Sequence, residues 1–164
     1  MITQGEIVVR LLIAAAFGGL LGLERERRDQ PAGLRTHILV ATGACLFALV
    51  SAFGFDDFTG TSSDTALRAD VTRISSQIVV GIGFLGGGTI LRYRGVVKGL
   101  TTAAGLWVTA AVGLAVAMGF WAGAAAAVGI ALVSLILKPV ESRIRRSRVA
   151  EGVRDDEDED EDED

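Results

Sequence analysis

"ISSQIVVGIGFLGGGTIL", residues 74–91, is the stretch whose reading decides the fold. Within it Gly81-x-Gly83-x-x-Gly86 has the glycine spacing of a loop that cradles a dinucleotide pyrophosphate. That fingerprint requires a strand before the glycines, a helix opening after them and an acidic residue about 20 positions on for a ribose hydroxyl. Here the glycines stand in the middle of an apolar run, the region around Leu106 is apolar, and no Asp or Glu occurs between Gly81 and Glu141. The nucleotide reading fails, and the run reads as a membrane-spanning helix.

Four further apolar segments of similar length flank it, which gives five: Ile7 to Leu23, Ile38 to Phe55, Ile74 to Leu91, Leu100 to Ala117 and Phe120 to Leu137. Each is close to the roughly 20 residues that a helix needs to cross a hydrocarbon core about 30 Å thick. None alternates with period two, and a chain in lipid must satisfy its backbone hydrogen bonds within its own helices. The composition agrees: of 164 residues half are hydrophobic, 21 are glycine and only two are proline. The start of the chain carries Glu6 and Arg10 early and ends in a charge cluster, so it reads as an uncleaved span and not a signal peptide. Cys45, the single cysteine, lies in an apolar run and has no partner for an internal disulfide.

Orientation follows from the basic residues. Arg25, Arg27, Arg28 and Arg35 fill the first connection, Arg92, Arg94 and Lys98 the third, and Lys138, Arg143, Arg145, Arg146 and Arg148 follow the fifth span. These segments are expected on the cytoplasmic side, with the N-terminus outside and the C-terminus inside. The predicted architecture is all-α and polytopic, with residues 1–141 as the membrane domain. Residues 142–164 form a basic segment and a disordered acidic tail; setting aside the ten acidic residues 155–164 turns the net charge of −4 into +6. A short internal repeat, "RERRDQPAGLRT" at 25–36 and "RYRGVVKGLTT" at 92–102, shares Arg-x-Arg and Gly-Leu-x-Thr. It suggests two parallel helical hairpins.

Several residues could carry function. Gly18-x-x-x-Gly22 and Gly83-x-x-x-Gly87 place small residues one turn apart for close helix approach. Gly81 and Gly86 belong to the same packing set, and a kink lining a site is the alternative. Asp70, Arg73 and Gln77 share one face at the entry to the third span, either as an interfacial pair with an interhelical hydrogen bond or as a polar entry to the bundle. Glu24 and Glu26 end the first span; Glu24 is four residues before Arg28 and suits a helix-surface pair, the alternative being an oxygen site for Mg²⁺. His37, after Arg35 and Thr36, reads as an interfacial hydrogen-bonding histidine, because no second histidine or cysteine cluster completes a transition-metal site. Thr101, Thr102, Thr109 and Trp107 read as interhelical glue and packing surface. No nucleophile, base and orienting acid assemble from local motifs, so no enzyme, no cofactor and no nucleic-acid partner is expected, and the metal assignment stays open.

Three motifs carry a family resemblance: "GLERERRDQPAGLRTHILVATGA", "DVTRISSQIVVGIGFLGGGTILR" and "KGLTTAAGLWVTAAVGLA". Together, from about Val9 to Glu141, they resemble the MgtC/SapB (YhiD-like) family of bacterial inner-membrane proteins. The motif residues of that resemblance are Glu24, Arg25, Glu26, Pro31, Gly33, Leu34, Arg35, Thr36 and His37, then Asp70, Arg73, Gln77, Gly81, Gly83, Phe84 and Gly86, then Gly99, Leu100, Thr101, Thr102 and Trp107. Two positions depart from the family pattern, Gly87 within the glycine motif and Gly105 where a serine is usual before Leu-Trp. The chain also resembles short members that have no soluble domain after the membrane part.

The resemblance implies a multi-pass protein of the bacterial inner membrane, and for the MgtC branch a link to magnesium limitation and to survival inside host macrophages. The leading expectation is a non-enzymatic regulator that contacts another membrane complex, with the membrane sector of the F-type ATP synthase as one candidate partner, or that forms a homo-oligomer. The alternative is a small transporter or channel for Mg²⁺ or another cation. The discriminating feature is whether Asp70, Gln77 and Glu24 converge on a path or pair locally while the glycine faces stay open.

Overall fold

The computed structural model describes residues 2–54, 73–94 and 96–136. Among the described residues are five helices, α1 (Gln4–Glu26), α2 (Leu34–Phe53), α3 (Arg73–Gly88), α4 (Leu100–Ala117) and α5 (Trp121–Ile136), with a short hairpin of β1 (Leu91–Tyr93) and β2 (Val96–Lys98) between α3 and α4. The chain divides into two units, 1–131 and 132–164; of the second, only the last residues of α5 are described. The fold is that of an all-α polytopic membrane protein: α1, α2 and α4, of 23, 20 and 18 residues, are each long and apolar enough to cross a bilayer. Asp70 and the segment 142–164 lie outside the described residues.

Helices α1, α2 and α4 pack on one another, and each buries a seam with the same spacing. The seam residues are Ala14, Gly18, Leu21 and Arg25 on α1, then His37, Ala41, Ala44, Ala48 and Ser51 on α2, then Thr102, Leu106, Thr109, Gly113 and Val116 on α4. Steps of four and three residues keep one face of a helix turned toward its neighbour, as in left-handed helix pairs. Lipid tails are as apolar as the side chains, so this association rests on close contact and not on escape from water. Glycine supplies the closeness. A Cβ at Gly18 would come within 2.5 Å of the His37 carbonyl oxygen and 2.8 Å of the Ala41 Cβ, and one at Gly22 within 2.7 Å of the Leu34 Cα. On α4 a Cβ at Gly113 would run into the Ala41 carbonyl oxygen.

The ends of these helices are closed by local chemistry. Thr3 and Glu6 form a reciprocal capping box at the start of α1: the Glu6 N–H donates to Thr3 Oγ1 at 3.2 Å and the Thr3 N–H to Glu6 Oε2 at 3.1 Å. After α1, Gln30 N–H donates to Arg25 O at 3.1 Å and Asp29 N–H to Glu26 O at 3.0 Å, with Asp29 at φ 52°. After α4 the same pattern recurs around Gly119 at φ 73°: Phe120 N–H donates to Ala115 O at 2.9 Å and Gly119 N–H to Val116 O at 3.1 Å. Both are Schellman turns, which satisfy orphan carbonyls by a left-handed residue.

Arg10 ties α1 to the same end of α4. Its Nη1–H donates to the Ala117 carbonyl oxygen, its guanidinium stands 5.8 Å from the Trp121 ring centroid, and Glu6 Oε1 lies 3.9 Å from Nη2. A cation at a helix C-terminus meets the negative end of the helix dipole. That contact explains how an arginine is accommodated so early in an apolar helix.

The third helix departs from the sequence expectation. It ends at Gly88 and not at Leu91: Thr89 N–H and Oγ1–H both donate to Gly86 O, at 3.0 and 2.7 Å, and the chain then pairs Leu91 with Lys98 and Arg92 with Val97. Three consecutive glycines weaken the helix there by roughly 1 kcal/mol each relative to alanine, so strand pairing wins. Of the glycines assigned to packing, a Cβ at Gly86 would stand 3.6 Å from Ala103 of α4, whereas one at Gly81, Gly83 or Gly87 would meet nothing within 4 Å. The second Gly-x-x-x-Gly pair is therefore not an internal seam, because it lies on the side of α3 turned away from α4.

Gly18→Val is expected to destabilise the purified protein by about 1–3 kcal/mol through overpacking. Gly87→Ala should be neutral or raise stability by about 1 kcal/mol through helix propensity. Thermal unfolding of both variants in the same detergent checks the contrast.

Candidate functional site

Contacts bring the C-terminal ends of α1 and α3 together with the N-terminal ends of α2 and α4. Gly22 meets Leu34, Arg25 meets Thr102, and Gly86 meets Ala103. The charged residues of the first connection therefore collect at one end of the bundle, and a polar knot forms there inside the helix packing.

Arg25 is its centre. Only 1% of the residue is exposed, and its Nη2 donates to Gln30 Oε1 and to Thr102 Oγ1, each at 3.0 Å. One guanidinium thus joins α1, the connection to α2, and the first turn of α4. Gln30 is fixed in turn by donating from Nε2 to Arg28 O at 2.9 Å. The Arg25 Nε is buried without a hydrogen-bond partner. Glu24, next along the helix, has Oε1 2.5 Å from Arg28 Nε, an ion pair outside hydrogen-bond alignment, since both carboxylate oxygens are buried without a hydrogen-bond partner.

Glu26 points elsewhere. Its Oε2 accepts from the Leu34 N–H at 2.9 Å, so a carboxylate from α1 caps α2 where the N-cap residue, Gly33, has no side chain to do so. That carboxylate occupies the space a Cβ at Gly33 would need. At the matching place in the second hairpin, Gly99 precedes α4 at φ 90°, and a Cβ would run into the Thr89 carbonyl oxygen. The two Gly-Leu pairs of the internal repeat thus both open a helix, and each excludes a side chain for its own reason.

His37 is 1% exposed and wedged between α1 and α4. Its Nδ1 is 3.0 Å from Gly33 O, and because a carbonyl only accepts, Nδ1 carries a proton, which leaves Nε2 with a lone pair in the neutral ring. Nε2 faces α4 at Gly105, where a Cβ would stand 3.7 Å away, an ordinary contact distance.

The remaining sequence candidates lie apart from this knot. Arg35, Arg73, Gln77, Thr101 and Trp107 are exposed, Thr36 is half-buried, and Thr109 donates to Gly105 O at 2.8 Å within its own helix. Of the discriminating set, Asp70 lies outside the described residues, Glu24 stands near the end of α1 and Gln77 near the start of α3, and among the described residues no group of three or more His, Cys, Asp or Glu is placed to hold a metal ion. Sequence reasoning did not single out Gln30 or Arg10. The signal available for Arg25 and Thr102 was their place in the two copies of the repeat, which the fold brings together.

Thr102→Val should cost about 1–3 kcal/mol, because it leaves a buried charged donor short of a partner. The Arg25→Met/Thr102→Val pair should recover part of that loss, since replacing a whole buried polar contact by apolar groups is far less costly than halving it. Glu26→Ala should cost about 0.5–2 kcal/mol as a lost cap. Unfolding in detergent, read as a double-mutant cycle for the first pair, measures all three.

Comparison with known proteins fits this architecture. The sequence model of the MgtC family matches residues 11–143. The chain is 45% identical over 108 residues to the "Putative magnesium transporter YhiD" of Escherichia coli K12, covering 66% of this chain and 49% of that protein. It is 46% identical over 106 residues to "Protein MgtC" of Salmonella typhimurium LT2, covering 65% and 41%. An uncharacterized protein of Haemophilus influenzae is 36% identical over 138 residues, covering 84% and 57%. The chain spans about half the length of the curated relatives it matches. No solved structure matches. With the family's sequence model running from within α1 to beyond the end of α5, the chain belongs to the MgtC family.

Proposed function

We propose that the protein is a non-enzymatic regulator of the bacterial inner membrane that acts by docking a helix of another membrane complex against α3. The observation that carries this reading is the outward face of that helix. Val80, Gly83, Phe84 and Gly87 stand at i, i+3, i+4 and i+7, Phe84 is 84% exposed, and no atom comes within 4 Å of where a Cβ would be at Gly83 or Gly87. A small-residue groove beside an aromatic knob suits close helix approach in lipid. The acidic groups support the same reading. Glu24 pairs with Arg28 within its own helix, and Gln77 is exposed near the start of α3, whereas the end of α3 is the one that meets the start of α4 beside the polar knot.

The basic first connection and the basic hairpin share one end of the bundle, and the positive-inside rule assigns that end to the cytoplasm, with the N-terminus outside. Family membership and the similarity to MgtC suggest adaptation to magnesium limitation and survival in host cells as the setting, and the membrane sector of the F-type ATP synthase as one partner to test. A second copy of this chain is another. The name of the E. coli relative favours a second reading, transport of Mg²⁺.

A photo-reactive amino acid at position 84 should cross-link a membrane partner in cells, and the same probe at Leu12, on the exposed side of α1, should not. Gly83→Leu should abolish the adduct. In parallel, purified protein in liposomes should give no saturable Mg²⁺ flux. Flux that is lost in a folded Glu24→Gln variant, without a position-84 adduct, would replace the regulatory reading by transport.

A further inference from the structure

Helices α2 and α3 meet through Val40, Ala44, Ile78 and Ile82 but do not close along their exposed side. Between them runs a groove of about 390 Å³ lined by Leu39, Gly43 and Phe47 of α2 and by Ile78, Gly81 and Leu85 of α3, with Ala110 of α4 contributing to its wall. No lining residue offers a polar side chain. Gly43 and Gly81 each have nothing within 4 Å of a Cβ position, so the groove is kept open by a missing side chain on either wall. It occupies a different face of α3 from Gly83, Phe84 and Gly87: at about 100° per residue, Ile78, Gly81 and Leu85 fall on one side of the helix and Gly83, Phe84 and Gly87 on another.

One end of this groove is basic. Leu39 is its residue nearest the start of α2, and Arg35 stands one turn before it on the same side, exposed. Leu85 is its residue nearest the end of α3, and the chain passes from there into the hairpin with exposed Arg92, Arg94 and Lys98. The start of α2 and the end of α3 share one end of the bundle, as Gly22–Leu34, Arg25–Thr102 and Gly86–Ala103 establish. No acidic side chain lies on α2, α3, β1, β2 or α4; the Glu26 carboxylate of α1, which caps α2 at the Leu34 N–H, leaves Arg35, Arg92, Arg94 and Lys98 in excess at this end.

We propose that the groove between α2 and α3 binds one acyl chain of an anionic phospholipid, with the headgroup phosphate held at its basic end by Arg35 and the hairpin cations. An all-hydrocarbon slot at membrane depth offers nothing to a polar ligand and matches an alkyl chain. The cations at its mouth select the headgroup, since basic residues at a membrane surface attract anionic lipid. Guanidinium recognises phosphate through paired N–H donors, so Arg35 is the selective element. The inner-leaflet location of this lipid rests on the orientation given under Proposed function; the groove and its charge do not.

Native mass spectrometry of the whole chain in detergent, titrated with phosphatidylglycerol or phosphatidylcholine of matched chains, tests the proposal. Phosphatidylglycerol should bind saturably and outcompete phosphatidylcholine. Gly43→Leu and Gly81→Leu, which fill the groove, should remove the saturable binding of both lipids. Arg35→Gln should leave phosphatidylcholine binding unchanged and lower the preference for phosphatidylglycerol by about fivefold, the effect of one interfacial basic residue. Phosphatidylglycerol carrying a photo-reactive group in its acyl chain should label peptides from residues 39–47 and 78–85 in the unaltered protein, which makes the result independent of how the variants fold. Label distributed over the outer face of α1 instead, or saturable binding that survives both leucine substitutions, would overturn the proposal. Binding lost in the leucine variants while the position-84 adduct persists separates this site from partner docking.

Discussion

Everything in this fold depends on how closely the backbones of α1, α2 and α4 approach. In a bilayer, apolar side chains gain little by leaving lipid for one another, so a stable bundle needs contact dense enough to exceed what lipid offers. The chain achieves it where a side chain would prevent it: Gly18 and Gly22 against the first turns of α2, and Gly113 against Ala41. The neighbouring seam positions, Ala14, Ala41, Ala44 and Ala48, are themselves small and almost wholly buried. Bulk is displaced to the lipid-facing sides, where Leu12, Leu39, Phe47 and Phe84 are exposed.

Close approach creates the polar knot as well as the seam. With α1 and α2 nearly in backbone contact at Gly22, the last turn of α1 lies beside the first turn of α2, and a carboxylate on one caps the other. The same crowding carries Arg25 under cover, where its charge is tolerated because Thr102 and Gln30 meet its donors. A buried polar contact of this kind specifies an arrangement more than it stabilises one, since only one register of α1 against α4 lets Arg25 reach Thr102. Arg10 does the corresponding work at the other end through the Ala117 carbonyl.

Much of the helical framework was legible from the sequence, because long apolar runs without alternation have few other solutions in lipid. The boundaries of α1, α2, α4 and α5 fall near the expected ones. The end of α3 did not, since apolar content continues through Leu91 while glycine propensity and strand pairing end the helix at Gly88. The two Gly-x-x-x-Gly pairs look alike in the sequence and differ in the structure, because spacing defines a face without saying what it faces. The Glu24–Arg28 pair was readable as a contact within one helix. Arg25 to Thr102 spans 77 positions, and the capping of Leu34 by Glu26 crosses a turn, so neither follows from local pattern.

The run Gly86 to Gly88 has a consequence for how the molecule opens. Free energies of local unfolding differ across a protein, from near zero at loosely held segments up to the global value in the core. A helix that ends in three glycines and leaves Gly81, Gly83 and Gly87 without neighbours sits on the low rungs of that scale, while the seam of α1, α2 and α4 sits at the top. Backbone amides of α3 should therefore exchange with solvent deuterium through small, frequent openings while those around Ala41 and Cys45 wait for the whole bundle to part. The element that presents the open face is also the one the fold can loosen at its glycine end while the seam of α1, α2 and α4 stays packed.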